Sequence, residues 1–271
     1  MTSADIPPPA KPGTGVARGF RMGRTVSALI LREMASRYGR NPGGYVWAVL
    51  EPLGMITILS IGFSLLVKSP PMGSSFILFF GTGFVPFSLY QTTSGPLART
   101  LTYSRALLNY PVITWVDAIT ARFVLNTLTG FMVSYLMLAL IIATLDTPIL
   151  LDIRPIMGAM AMAAFLGLGI GVLNCALFGL VGVWDKFWSI LTRPLFLVSG
   201  VVIRYEDVPE SVQNIIWYNP LVHIVGYMRE GFYPTYEATY FSPTYVVFAS
   251  LIPLFFGVVL MRRYHREIMT N

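Results

Sequence analysis

Few residues in this chain of 271 are equipped for covalent chemistry. Its three lysines are Lys11, Lys68 and Lys186, and none follows a glycine. A GxxxxGK[ST] phosphate cradle is therefore missing from the sequence. If ATP drives work here, another chain hydrolyses it. Ser199-Gly200 with His223 are the one pair that could serve as nucleophile and base of an intramembrane protease. The glycine wanted two places before such a serine is Leu197, and small Ser-Gly pairs also serve as helix contacts. Asp146 and Asp152 flank Pro148 with no histidine near, and Glu206, Asp207 and Glu210 read as a solvated acidic turn. One cysteine, Cys175, permits no internal disulfide, and two histidines beside it do not make a structural zinc site. No catalytic residue, metal ligand or bound cofactor is expected.

What remains is recognition chemistry, carried by aromatic rings and arginines. Aromatics crowd residues 204–242: Tyr205, Trp217, Tyr218, Tyr227, Phe232, Tyr233, Tyr236, Tyr240 and Phe241. Aromatic faces suit the apolar faces of sugars, but a belt at a membrane interface has the same composition. The residues alone favour the belt.

The elements that hold these groups follow from composition. Hydrophobic residues make up 55% of the chain and charged residues 12%. A soluble monomer of this size could not hide so much apolar surface in one core. Disordered chains, soluble enzymes and disulfide-stapled domains are excluded, and a net charge of +6 reflects residues flanking spans rather than nucleic-acid binding. Residues 69–98, 123–145, 155–184 and 238–261 lack any Asp, Glu, Lys or Arg. Each holds a span of roughly 20 residues. Two weaker runs lie at 52–67 and at 187–203, the second interrupted by Arg193. The expected spans are 47–67, 75–95, 123–144, 156–181, 187–203 and 244–261.

Charge tests that number. With six spans and both termini inside, 15 Lys or Arg fall on the cytoplasmic side and only Lys68, Arg154, Arg204 and Arg229 outside. The fold class is an all-α integral membrane protein. Its domains are a flexible cytoplasmic tail over 1–20, an interface helix over 21–40 and a single six-helix domain over 45–265. Gly167, Gly169 and Gly171, with Gly179 and Gly182, predict close helix packing. Spans two, three, four and six lack ionisable residues at their centres, and no inverted repeat is visible, which argues against an ion-coupled carrier.

Three segments break the simple pattern. Met22, Val26, Ile30, Met34 and Tyr38 recur every four residues, with Arg21, Arg24 and Arg32 opposite. This predicts an amphipathic helix along the inner interface, with Glu33 and Arg37 spaced to pair. Residues 97–115 predict a short cytoplasmic helix suited to docking, Leu97, Leu101 and Leu108 on one face, ended by Pro111. Between spans five and six, the uncharged run 211–228 is broken at Asn219-Pro220. It predicts a re-entrant or interfacial helix pair on the periplasmic side.

Two stretches are more specific. Arg32-Glu33-Met34, Arg37-Tyr38-Gly39-Arg40, Gly43-Gly44-Tyr45-Val46-Trp47-Ala48 and Glu51-Pro52 closely resemble the start of permease subunits of bacterial capsular polysaccharide ABC exporters, in the type-2 ABC exporter family. Phe196-Leu197-Val198-Ser199-Gly200, then Asn219-Pro220 and Arg229 before Tyr233, resembles that family between its fifth and sixth spans. The resemblance implies a homodimer with two cytoplasmic ABC ATPase subunits, which carry the ATP and Mg. It implies a lipid-carried polysaccharide substrate, an inner-membrane location, and periplasmic and outer-membrane export partners. It places ATPase contacts on the interface helix and the loop between spans two and three, hence Arg32, Arg37, Arg99, Leu101, Arg105 and Leu108. For the polysaccharide channel, Tyr90, Trp184, Trp188, Arg204, Tyr218, Tyr227 and Arg229 are the candidates. Exporters of O-antigen, teichoic acid or small lipids and drugs share much of this pattern and stay open.

Overall fold

A computed structural model describes residues 18–38, 44–108, 113–145 and 150–270, without the side chains of 18–22, 36–38, 44–45, 106–107 and 269–270. Every regular element among them is helical. Helix α1 runs Arg18–Tyr38, α2 Gly44–Leu66, α3 Phe76–Ala98, α4 Thr100–Leu108, α5 Trp115–Ala143 and α6 Ile153–Leu180. Then come α7 Trp184–Thr192, α8 Leu195–Val198, a 3-10 turn at Tyr205–Asp207, α9 Glu210–Ile216, α10 Pro220–Glu230 and α11 Pro243–Thr270. The expected tail over 1–20 lies almost wholly outside the described residues.

Among the described residues, four helices are long and apolar enough to cross a membrane: Val46–Leu66 within α2, α5, α6 and Pro243–Ile268 within α11. Helix α3 is as long as α2, but Ser88, Gln91, Thr92, Thr93 and Ser94 dilute its second half. It is also the helix the bundle closes around. Leu78, Phe79, Phe80, Val85, Phe87 and Leu89 are buried in one core with Met137 and Ile141 of α5 and Ala159, Ala163 and Leu166 of α6.

Glycine sets how closely α6 approaches its neighbours. A Cβ on Gly167 would stand 2.9 Å from Cβ of Thr93, on Gly171 2.7 Å from Cβ of Leu97, and on Gly169 2.2 Å from the Ser250 carbonyl oxygen. On α11, a Cβ on Gly257 would stand 2.6 Å from the Leu173 nitrogen. Helix α6 is thus clamped between α3 and α11 through backbone contact. Gly182, expected to pack in the same way, faces open space.

Two expectations need correction. The stretch 187–203 is not one helix: it breaks after Thr192 and ends at Val198. Pro194 removes a backbone donor there, and Gly200 turns the chain with φ +79. Helix α5 starts at Trp115, eight residues before the expected span. Thr114 and Asp117 form a capping box, with the Thr114 N–H donating to Asp117 Oδ2 at 3.0 Å and the Asp117 N–H to Thr114 Oγ1 at 3.3 Å. Arg122 therefore lies within α5, not ahead of it.

At one end of the bundle, α1 lies against α5, and α4 packs beneath α3 and α5. At the other end, α9 and α10 meet at Trp217–Asn219. Asn219 caps α10 by accepting from the Leu221 N–H at 3.1 Å, and its amide donates to the Val198 carbonyl at 3.0 Å. Most of α10 is buried against α3 and α6.

Candidate functional site

Along α3, uncharged polar side chains recur at helical spacing. Ser88, Gln91 and Thr92 line a concavity of about 900 Å³ bounded by α2, α5 and the α7/α8 break, with Glu51, Asn126 and Arg193 on its other walls. Towards the α1/α4 end, Gln91, Ser94 and Tyr90 line a second hollow of about 700 Å³ with Arg99, Arg122, Asp185 and Trp188. Gln91 borders both. Ser88, Gln91, Thr92 and Ser94 thus make a polar track along α3 that borders both hollows, and such hydrogen-bonding groups are what a hydrated substrate needs to leave water.

Of the expected channel residues, Tyr90 and Trp188 meet in the second hollow. Trp184 stacks on Trp188 at 6.4 Å and 25°, and its indole N–H donates to Asn174 Oδ1 at 2.9 Å. The other four stand away from the track. Tyr218 is exposed at the α9/α10 end. Tyr227 stacks on Phe241 at 4.3 Å and 10°, and fills the space over Gly158 of α6. Arg204 grips Asp207 with both arms, Nε to Oδ2 at 2.8 Å and Nη2 to Oδ1 at 2.6 Å, and that hydrogen bonding raises its pKa from the ordinary arginine value. Its fork is occupied by its own turn. Arg229 is 1% exposed, its guanidinium 4.3 Å from the Phe79 ring and donating to the Val201 carbonyl at 3.2 Å. In this conformation it offers no surface to a passing chain. It ties α10 to α3 instead.

The α9/α10 end is closed by hydrogen bonds. Tyr236 donates to Glu206 Oε1 at 2.8 Å and lies 3.2 Å from the Tyr240 hydroxyl. Burial pushes the Tyr240 hydroxyl up to about 12 and raises Tyr236 further, so both stay protonated at neutral pH and can donate. The Ala238 N–H donates to Glu230 Oε1 at 2.8 Å.

At the α1/α4 end, Arg122 is the residue that the sequence did not reveal. Its Nε donates to Glu33 of α1 at 3.0 Å, its Nη1 donates to the Pro96 carbonyl of α3 at 3.2 Å, and its guanidinium lies 5.2 Å from the Tyr103 ring of α4. One side chain thus holds four helices. The expected partner of Glu33, Arg37, sits on α1 with its side chain outside the described residues. Arg32 lines a small pocket with Glu33, Tyr103 and Arg122. Arg99 and Arg105 are exposed. Leu101 is not: at 3% exposure it packs with Leu97, Ile119, Val172 and Met261, and Leu108 is partly buried against the same cluster. These leucines anchor α4 to its own bundle, so Leu101 has no surface for a partner.

With this geometry in place, the sequence can be set against known proteins. A family described as ABC-2 type transporter matches residues 24–233. The chain belongs to that family. The segment shared with other ABC-2 transporters takes in both hollows and the Arg122 junction, and leaves α11 outside. Among curated relatives, the Escherichia coli polysialic acid transport protein KpsM is 28% identical over 254 residues, covering 93% of this chain and 98% of that protein. The Neisseria meningitidis serogroup B capsule polysaccharide export inner-membrane protein CtrC is 25% identical over 245 residues, 90% of this chain and 92% of its own. The Haemophilus influenzae capsule polysaccharide export inner-membrane protein BexB is 24% identical over 248 residues, 91% and 93% respectively.

Ser199 and His223 behave as structural groups in this ABC-2 chain. The Ser199 hydroxyl donates to the Leu195 carbonyl and accepts from the Asn219 amide at 3.2 Å. His223 Nδ1 accepts from the Ser242 N–H at 3.2 Å, and that bond leaves Nε2 as the donor to the Trp217 carbonyl at 2.8 Å. Both are fully buried, and neither is the other's partner. The nucleophile-and-base reading ends there.

Proposed function

We propose that this ABC-2 chain is the membrane permease of a capsular polysaccharide exporter. Two copies and two separate ATPase subunits, which hold the ATP and Mg, move a lipid-carried polysaccharide across the inner membrane. The α1/α4 end faces the cytoplasm and the α9/α10 end the periplasm, where further export proteins continue the route. The excess of arginine and lysine on the α1/α4 side supports this orientation. The names of the relatives support the substrate class.

The observation that carries the reading is the polar track on α3. A sugar hydroxyl taken into an apolar interior without a partner costs roughly 1–3 kcal/mol. A chain of sugars multiplies that cost, so a passage must offer replacement hydrogen bonds and flat surfaces. Ser88, Gln91, Thr92 and Ser94 supply the first, and Trp188 the second, while Tyr90 at 4% exposure backs the wall from within the core. Force applied by an ATPase to α1 or α4 would reach the track through Arg122, which bonds to α3 at the Pro96 carbonyl. Arg32, Arg99 and Arg105 are the exposed charges placed to meet the ATPase.

A deletion strain of an encapsulated host tests this. Complementation with the intact chain should restore surface polysaccharide. The combination Gln91→Leu, Ser94→Val and Trp188→Ala should insert normally yet leave polysaccharide inside the cell. Surface polysaccharide at the intact level with that triple variant would overturn the track as the passage.

A further inference from the structure

Glu51 is the one charged residue in α2, and it faces the larger hollow. Arg193 stands at the α7/α8 break and lines the same hollow from a different wall. Both side chains are exposed, and among the described residues neither has a hydrogen bond or ion pair within the chain. Both have exposed apolar neighbours along the chain: Met55 and Ile58 follow Glu51, and Leu191 and Leu197 flank Arg193. A lone charge on an apolar helix surface inside a bilayer is costly, so such charges pair or face water. Nothing among the described residues answers either one.

The surface beside Glu51 is also shaped for a close neighbour. Gly54 follows it by about one turn, and a Cβ there would meet no atom within 4 Å. Exposed glycine on an apolar helix lets another helix approach closely. The two edges of the hollow therefore carry opposite charges, with room for backbone approach at the acidic one. A two-fold operation that set the acidic edge of each copy against the basic edge of the other would satisfy all four charges at once.

We infer that Glu51 pairs with the partner subunit's Arg193, and that the two resulting ion pairs close the seam between α2 and the α7/α8 break in the resting dimer. The inference rests on the two-copy reading proposed above. It gives the α7/α8 break a purpose, since Pro194 fixes Arg193 at a corner rather than along a smooth helix. Opening the passage separates the pairs and exposes a carboxylate and a guanidinium to the water that enters with the substrate.

The test uses two differently tagged full-length copies expressed together, one Glu51→Cys and the other Arg193→Cys. Membranes are treated with a short bifunctional thiol reagent, and a chain holding only the buried Cys175 serves as the blank. The expected result is a cross-linked product carrying both tags, absent when either variant is expressed alone. As a second measurement, Glu51→Arg and Arg193→Glu should each lower export, and the two reversals combined in one chain should recover much of it. Tags that co-purify without cross-linking would overturn the ion pair while leaving the dimer intact. Tags that fail to co-purify would overturn the dimer itself. Cross-linking only within a single doubly substituted copy would place the pair inside one chain and overturn the inference.

Discussion

Arg122 Nε lies 2.9 Å from Glu33 Oε1, a contact between α5 and α1 across 89 residues of sequence. The Arg122 side chain is 9% exposed and that of Glu33 25%. Removing one partner of a fully buried pair costs roughly 3–5 kcal/mol. Partial exposure of Glu33 brings the expectation for Arg122→Gln down to about 1–3 kcal/mol. The functional effect should exceed the structural one, because Arg122 also holds the Pro96 carbonyl. Arg122→Gln is expected to keep the ATPase bound and hydrolysing while polysaccharide exported per ATP falls several-fold. Arg122→Lys keeps the charge but loses the fork, and should be intermediate. Export measured against ATP hydrolysis decides: an unchanged ratio in Arg122→Gln removes Arg122 from the transmission route.

Gly169 separates packing from chemistry. A side chain there meets the Ser250 carbonyl at 2.2 Å, and backbone cannot swing aside as a side-chain end can. Overpacking of this kind costs roughly 1–3 kcal/mol or more. Gly169→Val should push α11 off α6 and sharply lower the yield of monodisperse protein in detergent. Gly182→Ala, with nothing within 4 Å, should stay within about 0.5 kcal/mol of the parent. Equal yields from the two variants would contradict the clamped α6.

These two sites also show what the sequence could and could not convey. Absence of charge located α2, α3, α5, α6 and α11, because each is nearly free of ionisable groups along its apolar length. The glycines of α6 announced close packing for the same local reason. Arg122 was hidden because its partner, Glu33, is remote in sequence. A charge before an apolar run looks like a boundary until folding brings its counterion. The break at Pro194 was visible in outline, but an apolar run reads through a proline when only charge is counted. Arg229 sits among aromatics that suggest a binding surface, and only the packing of α10 on α3 reveals that Phe79 and the Val201 carbonyl enclose it. The polar track escaped notice because Gln91 and Ser94 carry no charge. Uniformly apolar spans also conceal which face turns inward.

Helix α4 carries both an anchor and a contact surface, and two substitutions should pull them apart. Leu101 is 3% exposed within the cluster of Leu97, Ile119, Val172 and Met261. Leu101→Ala removes buried volume and is expected to cost about 2–4 kcal/mol, seen as a lower melting temperature of the purified chain. Any loss of ATPase binding in that variant should track the loss of folded protein. Arg105 is exposed, two residues after Tyr103 and outside that cluster. Arg105→Glu should leave melting within about 0.5 kcal/mol of the parent, since substitutions on open surface rarely do more. It should nonetheless reduce the ATPase recovered by pull-down, because a reversed charge replaces attraction with repulsion at a contact. The comparison is informative in both directions. If Arg105→Glu recovers ATPase at the parental ratio, the exposed face of α4 is not the contact. The small pocket shared by Arg32, Glu33 and Tyr103 then becomes the surface to alter next, with Arg32→Glu as the corresponding reversal.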